Sequence, residues 1–527
     1  MPNTAVICPD DPGIHFTPSA DASAASLLTS GALQFVAELE RRFGSRRQQL
    51  LGLREDRQQR LNEGEQPGFR IETAELRDAQ WQAKTAPADL RERHVELLVP
   101  AGRTSLEQAF ASGASTVIAD LEDSHAPTWQ RTLAGQHALK ELIGSRRRAG
   151  LAVSGSAPRP TLMLRPRGWH LLEHNLRIDD RPVSASLFDF ALYLYHNAHN
   201  LREQGSGPYF CLPKLESYVE AQLWADLFAC AEESLGLSHG RISCSVLIET
   251  LPAVFEMEEI LFTLRDYAVG LNFGRQDHLF SFIKRFQAIP ERVLPETGQF
   301  SGAGFQHACS RLLVQTCHRR GAHAIGCLST QIPDRPGDDL ENTLRQQKTG
   351  EAEAGFDGTW VAHSGLVRAA REAFESVLSA PHQFDRQLDD LRITESDLLC
   401  VPEGRITAHG IDLHVRTGLH YLSSWLDGEA SVAIDNRLRD IADAEIARAQ
   451  LWQWVHHPGG RLDDNSPVTY EMVDSILQQA LQEIRLEIGE AAYQAQHYPA
   501  AAELLGGVIA SDRFEEFLTQ PAGHRLA

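Results

Sequence analysis

The sequence predicts an α/β protein built on a closed (β/α)₈ barrel, with helical segments before and after it. Three observations carry that expectation. Short runs rich in Val, Ile and Leu recur at 95–99, 116–119, 161–164, 209–212, 244–248, 268–273 and 322–328, with a weaker eighth at 359–362. The runs lack the in/out alternation of a half-solvated strand, which indicates a parallel sheet covered on both faces. Amphipathic stretches separate them and predict helices such as 218–235, 252–267 and 306–319. About eight repeats over roughly 280 residues suit a closed barrel better than an open sheet.

On either side the texture is helical. Leu33, Val36, Leu39 and Phe43 fall at helical spacing, and a Gln/Arg/Glu-rich stretch follows over 47–64. After about residue 376 the strand signals fade, and 437–457 and 468–496 read as amphipathic helices. The expected division is a helical segment over 1–90, the barrel over 91–375 and a helical domain over 376–527. The Gly/Ser/Pro-rich 150–160 and the polar 333–358 predict loops, the second long enough to cover an active site.

Composition narrows the function. The 527 residues suggest two to four domains, and the 42% hydrophobic content fills a large core. Lys and Arg number 50 against 71 Asp and Glu, a formal net charge of -21, which argues against nucleic acid as a partner. The N-terminus shows no signal-peptide pattern, and no apolar run approaches the ~18–20 residues needed to span a bilayer. Eight scattered cysteines without a C-x-x-C pair read as reduced thiols of a cytoplasmic protein.

In such a barrel, chemistry gathers where strands end and loops begin. Asp120-Leu121-Glu122-Asp123 follows one run, Arg165-Pro166-Arg167-Gly168 another, Glu249-Thr250 a third and Gly274-Arg275-Gln276-Asp277 a fourth. Carboxylates without matching Cys or His favour a hard cation with oxygen ligands, most plausibly Mg²⁺. Taken singly, each acid could equally pair with a neighbouring arginine. His170-Leu171-Leu172-Glu173-His174 matches a zinc-peptidase pattern, but that pattern needs a helix and this segment leaves a strand through Pro166 and Gly168.

At these residues the chain resembles malate synthases of the A-type branch. The matching stretches include Ala119-Asp120-Leu121-Glu122-Asp123-Ser124, Arg165-Pro166-Arg167-Gly168-Trp169-His170 and Ser186-Leu187-Phe188-Asp189-Phe190-Ala191-Leu192. Longer still is Leu247-Ile248-Glu249-Thr250-Leu251-Pro252-Ala253-Val254-Phe255-Glu256-Met257, and Trp452-Gln453-Trp454 lies farther on. The resemblance implies a TIM barrel with an N-terminal helical clasp and a C-terminal helical plug. It implies Mg²⁺ on Glu249 and Asp277 (with Mn²⁺ as a substitute), and Glu122 and Asp123 holding metal-bound water. Arg165 falls on the family's catalytic arginine. Asp440 falls on its catalytic base, although by residue type alone Asp440 reads as a helix N-cap or a solvated acid. Gly274, Arg275, Gln276 and Leu328 would contact glyoxylate, and Pro333 would lie near the CoA of acetyl-CoA, in a monomer or small homo-oligomer.

Several positions depart from the family pattern. Gln276 stands where Trp is usual, Gly326-Cys327-Leu328 where Gly-Gly-Met is usual, Leu438-Arg439 where Met-Glu precedes the base, and Ser364 where Pro follows His363. They leave the ligands and the base in place and put the choice of 2-oxo acid in question, pyruvate being the nearest larger candidate. A malyl-CoA-type lyase and a catalytically silent relative are the remaining alternatives.

Overall fold

A computed structural model describes residues 11–16, 22–148, 159–299, 304–333 and 339–523. All eight predicted runs are strands of one closed parallel barrel: β1 (Val95–Pro100), β2 (Thr116–Asp120), β3 (Thr161–Arg165), β4 (Tyr209–Leu212), β5 (Ser243–Ile248), β6 (Ala268–Phe273), β7 (His323–Ser329) and β8 (Gly358–Val361). Each strand pairs with the next, and β8 closes on β1 through Thr359 opposite Val95. The missing polar alternation has a plain cause. Leu98, Ile118, Met163, Leu247 and Trp360 fill the barrel interior. Their strand neighbours Leu97, Val117, Leu162, Val246 and Val361 face the surrounding helices. Both faces are therefore apolar. Inside the barrel a buried polar group is closed upon itself: Arg93 Nε donates to Glu96 at 2.7 Å, Arg93 Nη2 to Ser245 at 3.1 Å, and Asn272 Nδ2 to Glu96 at 2.7 Å.

The N-terminal helix α1 (Ser30–Asn62) is capped by the Thr29 side chain and buries Leu33, Val36, Leu39 and Phe43. Its polar second half stays helical because Arg47 and Arg54 bury their guanidinium groups on barrel loops, Arg47 donating to the Trp169 carbonyl at 2.6 Å. Among the other helices are α2 (Arg275–Arg285), which follows β6, and α3 (Ala408–Leu426) and α4 (Ile441–His456) of the C-terminal region. That region has its own core, in which Ile411, Leu419, Trp425, Leu451 and Trp454 meet. Its hold on the barrel explains the Trp-Gln-Trp run. Gln453 accepts from Leu294 N at 2.9 Å and donates to the Arg292 carbonyl at 3.1 Å, and Trp454 Nε1 donates to the Leu294 carbonyl at 2.9 Å. Gln450 donates to the Pro295 carbonyl at 2.7 Å.

The structure corrects five expectations. The expected loop over 333–358 contains a helix, Asp339–Ala354, whose buried positions include the charged Glu341 and Lys348, so no apolar period marks it. The single helix expected over 252–267 is two, Leu251–Val254 and Met257–Thr263. The one expected over 468–496 is likewise two, Tyr470–Ile488 and Glu490–Ala495, parted at Gly489 with φ +82°. The helix expected from residue 437 starts at Ile441; Arg437–Arg439 is a strand paired with Val432–Ile434. Residues 1–90 are not helical throughout, since Ile14–Phe16 pairs with Leu172–Ile178. That last strand carries His174, so the zinc-like pattern is not on a helix. Most of the expected 150–160 loop lies outside the described residues. Among the described residues the seven cysteines are free, and no helix is long and apolar enough to cross a membrane.

One buried ion pair ties the segment after β8 to the barrel. His318 Nδ1 donates to the Arg386 carbonyl at 2.8 Å, and Nε2 lies 3.1 Å from Asp357. Both ring nitrogens face acceptors, which requires the imidazolium. Burial opposes that charge, but Asp357 outweighs it and raises the imidazole above its ordinary value. The contribution is therefore complete below the free imidazole value of about 6.5 and is lost as pH rises through the folded value. Asp357→Asn is expected to lower the unfolding temperature, and to lower it more at pH 6 than at pH 9. An equal loss at both pH values would show that the pair is not ionic.

Candidate active site

The site is assembled from the C-terminal ends of the barrel strands. Asp120 closes β2 and organises the turn after it, accepting from Glu122 N at 2.9 Å, Ser124 N at 2.8 Å and Ser124 Oγ at 2.5 Å. The same carboxylate receives Arg165 from the end of β3, through Nε and Nη2, each at 2.6 Å. Arg165 Nη1 reaches Asp123 at 3.1 Å. Its fork is thus fixed and buried. Arg167 has a different duty: its fork grips Asp189 at 2.9 and 2.8 Å and Glu173 at 3.0 Å, which anchors the loop after β3.

Asp123, Glu249 and Asp277 bring ligand oxygens within 4.8 Å of one another. Glu249 follows β5, and its Oε1 accepts from Lys214 N at 2.5 Å. Asp277 sits in the first turn of α2, where the helix N-terminus favours negative charge. Gly274 lets these two elements approach, because a Cβ there would lie 2.4 Å from Glu249 Cβ. The Lys214 ammonium stands among the acids, 3.1 Å from Asp123, in contact with Asp277, 3.6 Å from Glu122 and 3.8 Å from Glu249. Lys214 also holds φ +56°, a left-handed conformation that is uncommon for a long side chain.

Crowding shifts the acids. Burial raises Glu249 to about 8 and also raises Glu122 and Asp277. Asp123 runs the other way: burial opposes its charge, but Lys214 and Arg165 hold it below the usual carboxylate range. Glu249 Oε2 and Glu122 Oε2 are buried with no hydrogen-bond partner. Unpartnered carboxylate oxygens in an acidic, oxygen-only cluster fit a hard divalent cation.

Asp440 closes the site from the C-terminal region. It is the N-cap of α4, accepting from Ala442 N at 3.0 Å, and it is 8% exposed. The N-cap reading and the active-site reading therefore describe one residue. Burial first, then Asp123, Asp443 and Asp277, push its carboxyl well above the ordinary range against the pull of Arg165. Ile441 N donates to the Asp123 carbonyl at 3.4 Å, joining α4 to the β2 turn. The structure thus gathers Arg165, Glu122, Asp123, Glu249, Asp277 and Asp440. Gln276 is half-buried beside Asp277, whereas Arg275 is exposed. Leu328 lies opposite Trp360 on β8 and packs against the barrel interior. Pro333 follows β7, where Ile332 N donates to the Asn436 carbonyl at 2.8 Å. Sequence reasoning missed Lys214 and the organising role of Asp120. The signal for Lys214 in the sequence was a basic residue two positions after the 209–212 run, behind Pro213.

Comparison with known proteins gives this geometry a family. Three family models match: "Malate synthase, N-terminal domain" over 13–75, "Malate synthase, TIM barrel domain" over 161–401 and "Malate synthase, C-terminal" over 405–526. A malate synthase of Myxococcus xanthus is 42% identical, covering 94% of this chain and 94% of its own length. The chain belongs to the malate synthase family. A malate synthase of Streptomyces clavuligerus is 43% identical over 95% of this chain and 96% of its own. Malate synthase A of Escherichia coli is 38% identical, covering 95% of each. This malate synthase is accordingly an enzyme, an acyltransferase, and the lyase and silent-relative alternatives are not favoured.

The close approach at Gly274 gives a direct test. Gly274 has φ -88°, which alanine also adopts, so Gly274→Ala perturbs only the space beside Glu249. The substitution is expected to cost at least about tenfold in activity or metal affinity, as displaced metal-site supports do. Wild-type turnover and metal requirement in this variant would show that the approach has no functional weight.

Proposed function

We propose that this malate synthase condenses acetyl-CoA with glyoxylate, using Mg²⁺ held by Glu249 and Asp277, and hydrolyses the resulting malyl-CoA to malate and CoA. The observation that carries the reading is the burial of Asp440 over a cluster of acids in which Glu122 Oε2 and Glu249 Oε2 lack hydrogen-bond donors, beside a fixed arginine. A carboxyl held above its ordinary range is a stronger base than a free one once it is ionised. Asp440 takes a proton from the acetyl methyl group. Arg165, whose fork is locked on Asp120, supplies a permanent positive charge for the enolate oxygen and needs no reorganisation as that charge develops. A cation held by Glu249 and Asp277 would supply Lewis-acid polarisation of the glyoxylate aldehyde. Glu122 and Asp123 would hold water beside it.

Gly274 and Gln276 border the glyoxylate position, with Arg275 and Leu328 at its margin. Pro333, beside the junction of β7 with the 432–439 hairpin, is the proposed CoA contact. Because α4 seals the site with Asp440, the base arrives together with the wall that excludes water. Mn²⁺ substitutes for Mg²⁺. The enzyme works in the cytoplasm, a reading that the free thiols among the described residues support, as a monomer or small homo-oligomer.

Asp440→Asn tests the base cleanly, since asparagine is an equally good N-cap and keeps the start of α4. Turnover is expected to fall by at least about 10²–10⁴-fold while the unfolding temperature holds. Near-normal turnover would remove Asp440 from the role. Glu249→Gln and Asp277→Asn are each expected to raise the Mg²⁺ requirement and the glyoxylate KM. Activity should vanish in excess EDTA and return with Mg²⁺ or Mn²⁺; full activity in EDTA refutes the cation.

A further inference from the structure

We infer that Arg54, on the N-terminal helix α1, is a positioning residue of the cation site that acts through the backbone of Lys214. The inference rests on the reading of Glu249 and Asp277 as cation ligands. Arg54 is buried, and its fork closes on Glu220 through Nε and Nη2, each at 2.7 Å. Nη2 also donates to the Lys214 carbonyl at 2.8 Å, across 160 positions of sequence. That carbonyl belongs to the residue with φ +56°, and its own N–H is the group that fixes Glu249 Oε1 at 2.5 Å. One residue in a disfavoured conformation therefore has its carbonyl gripped by α1 and its amide turned onto a ligand carboxylate. With Oε1 committed to Lys214 N, Glu249 Oε2 remains buried without a hydrogen bond, 3.8 Å from the Lys214 ammonium.

A buried ion pair alone would account for Arg54 and Glu220, but it leaves the Lys214 geometry without a cause. Strain of this kind persists only where the surroundings over-determine it. Here they do so on each side. Glu216 N donates to Glu220 at 3.0 Å, Glu216 lies 3.3 Å from Arg57 of α1 and contacts Arg285 of α2, and Thr250 Oγ1 donates to the Leu215 carbonyl at 2.6 Å. Arg54 also lines one small cavity with Lys214, Glu249 and Asp277, which places α1 close to the ligands. Arginine suits the task because its planar fork serves a carboxylate and a carbonyl together, which a lysine ammonium does not reproduce.

The test is a cycle of wild type, Arg54→Met, Lys214→Gly and the double variant, with Mn²⁺ binding measured by electron paramagnetic resonance in the absence of substrates. Unfolding temperatures are recorded alongside. Glycine adopts the left-handed conformation freely, so in the Lys214→Gly background the grip of Arg54 is not needed. Arg54→Met is expected to weaken Mn²⁺ binding about tenfold or more in the wild-type background, as loss of outer metal-site support does, and clearly less in the Lys214→Gly background. Equal weakening in both backgrounds, or none in either, overturns the inference. Should Arg54→Met fail to fold, Arg54→Gln keeps a donor and is subject to the same comparison. Absence of Mn²⁺ binding in wild type, or binding that Glu249→Ala leaves intact, would sink the cation site itself. Tight binding by both wild type and Arg54→Met sinks only the role of Arg54.

Discussion

The rim of this barrel concentrates more buried negative charge than its own cations neutralise. Asp120, Glu122, Asp123, Glu249, Asp277 and Asp440 crowd together, and among the described residues Arg165 and Lys214 are the cations paired with them. Removing so many carboxylates from water is tolerable only if further positive charge enters or protons are taken up. The raised position of Glu249 and the unpartnered oxygens of Glu249 and Glu122 express that imbalance locally. A site built this way suits a hard cation, as the proposed function requires, and the surrounding architecture serves to hold like charges close.

That task explains why so much of the support is fixed. Arg165 cannot swing, because two of its nitrogens are spent on Asp120. Asp120 in turn shapes the turn that carries Glu122 and Asp123. The backbone of Lys214 sets Glu249, and the first turn of α2 presents Asp277. Of these groups Asp440 alone comes from outside the barrel, at the start of a helix in a region with its own core, so under the proposed function the base and the charge-stabilising groups belong to separately packed parts.

The barrel was legible in the sequence because every strand is buried on both faces, which leaves short apolar runs with little ambiguity. The acids were legible because they follow those runs directly. Lys214 was not, since one lysine after a strand has no spacing partner to mark it, and its role depends on a left-handed backbone that residue type does not encode. The helix Asp339–Ala354 was hidden because Glu341 and Lys348 take buried positions where apolar residues are expected. Asp440 needed family resemblance: an aspartate before an amphipathic run signals a cap, and burial over a distant cluster is a tertiary fact.

The way α4 is fastened has a consequence for how this protein tolerates change. Gln450, Gln453 and Trp454 bind main-chain atoms of Arg292, Leu294 and Pro295. Main-chain groups are supplied by nearly any residue, so these four bonds do not themselves depend on which side chains Arg292, Leu294 and Pro295 contribute. The choice of residue matters instead at the three donors in α4. The placement of Asp440 over the barrel is thereby held in part by bonds that a side-chain change in the receiving segment does not remove.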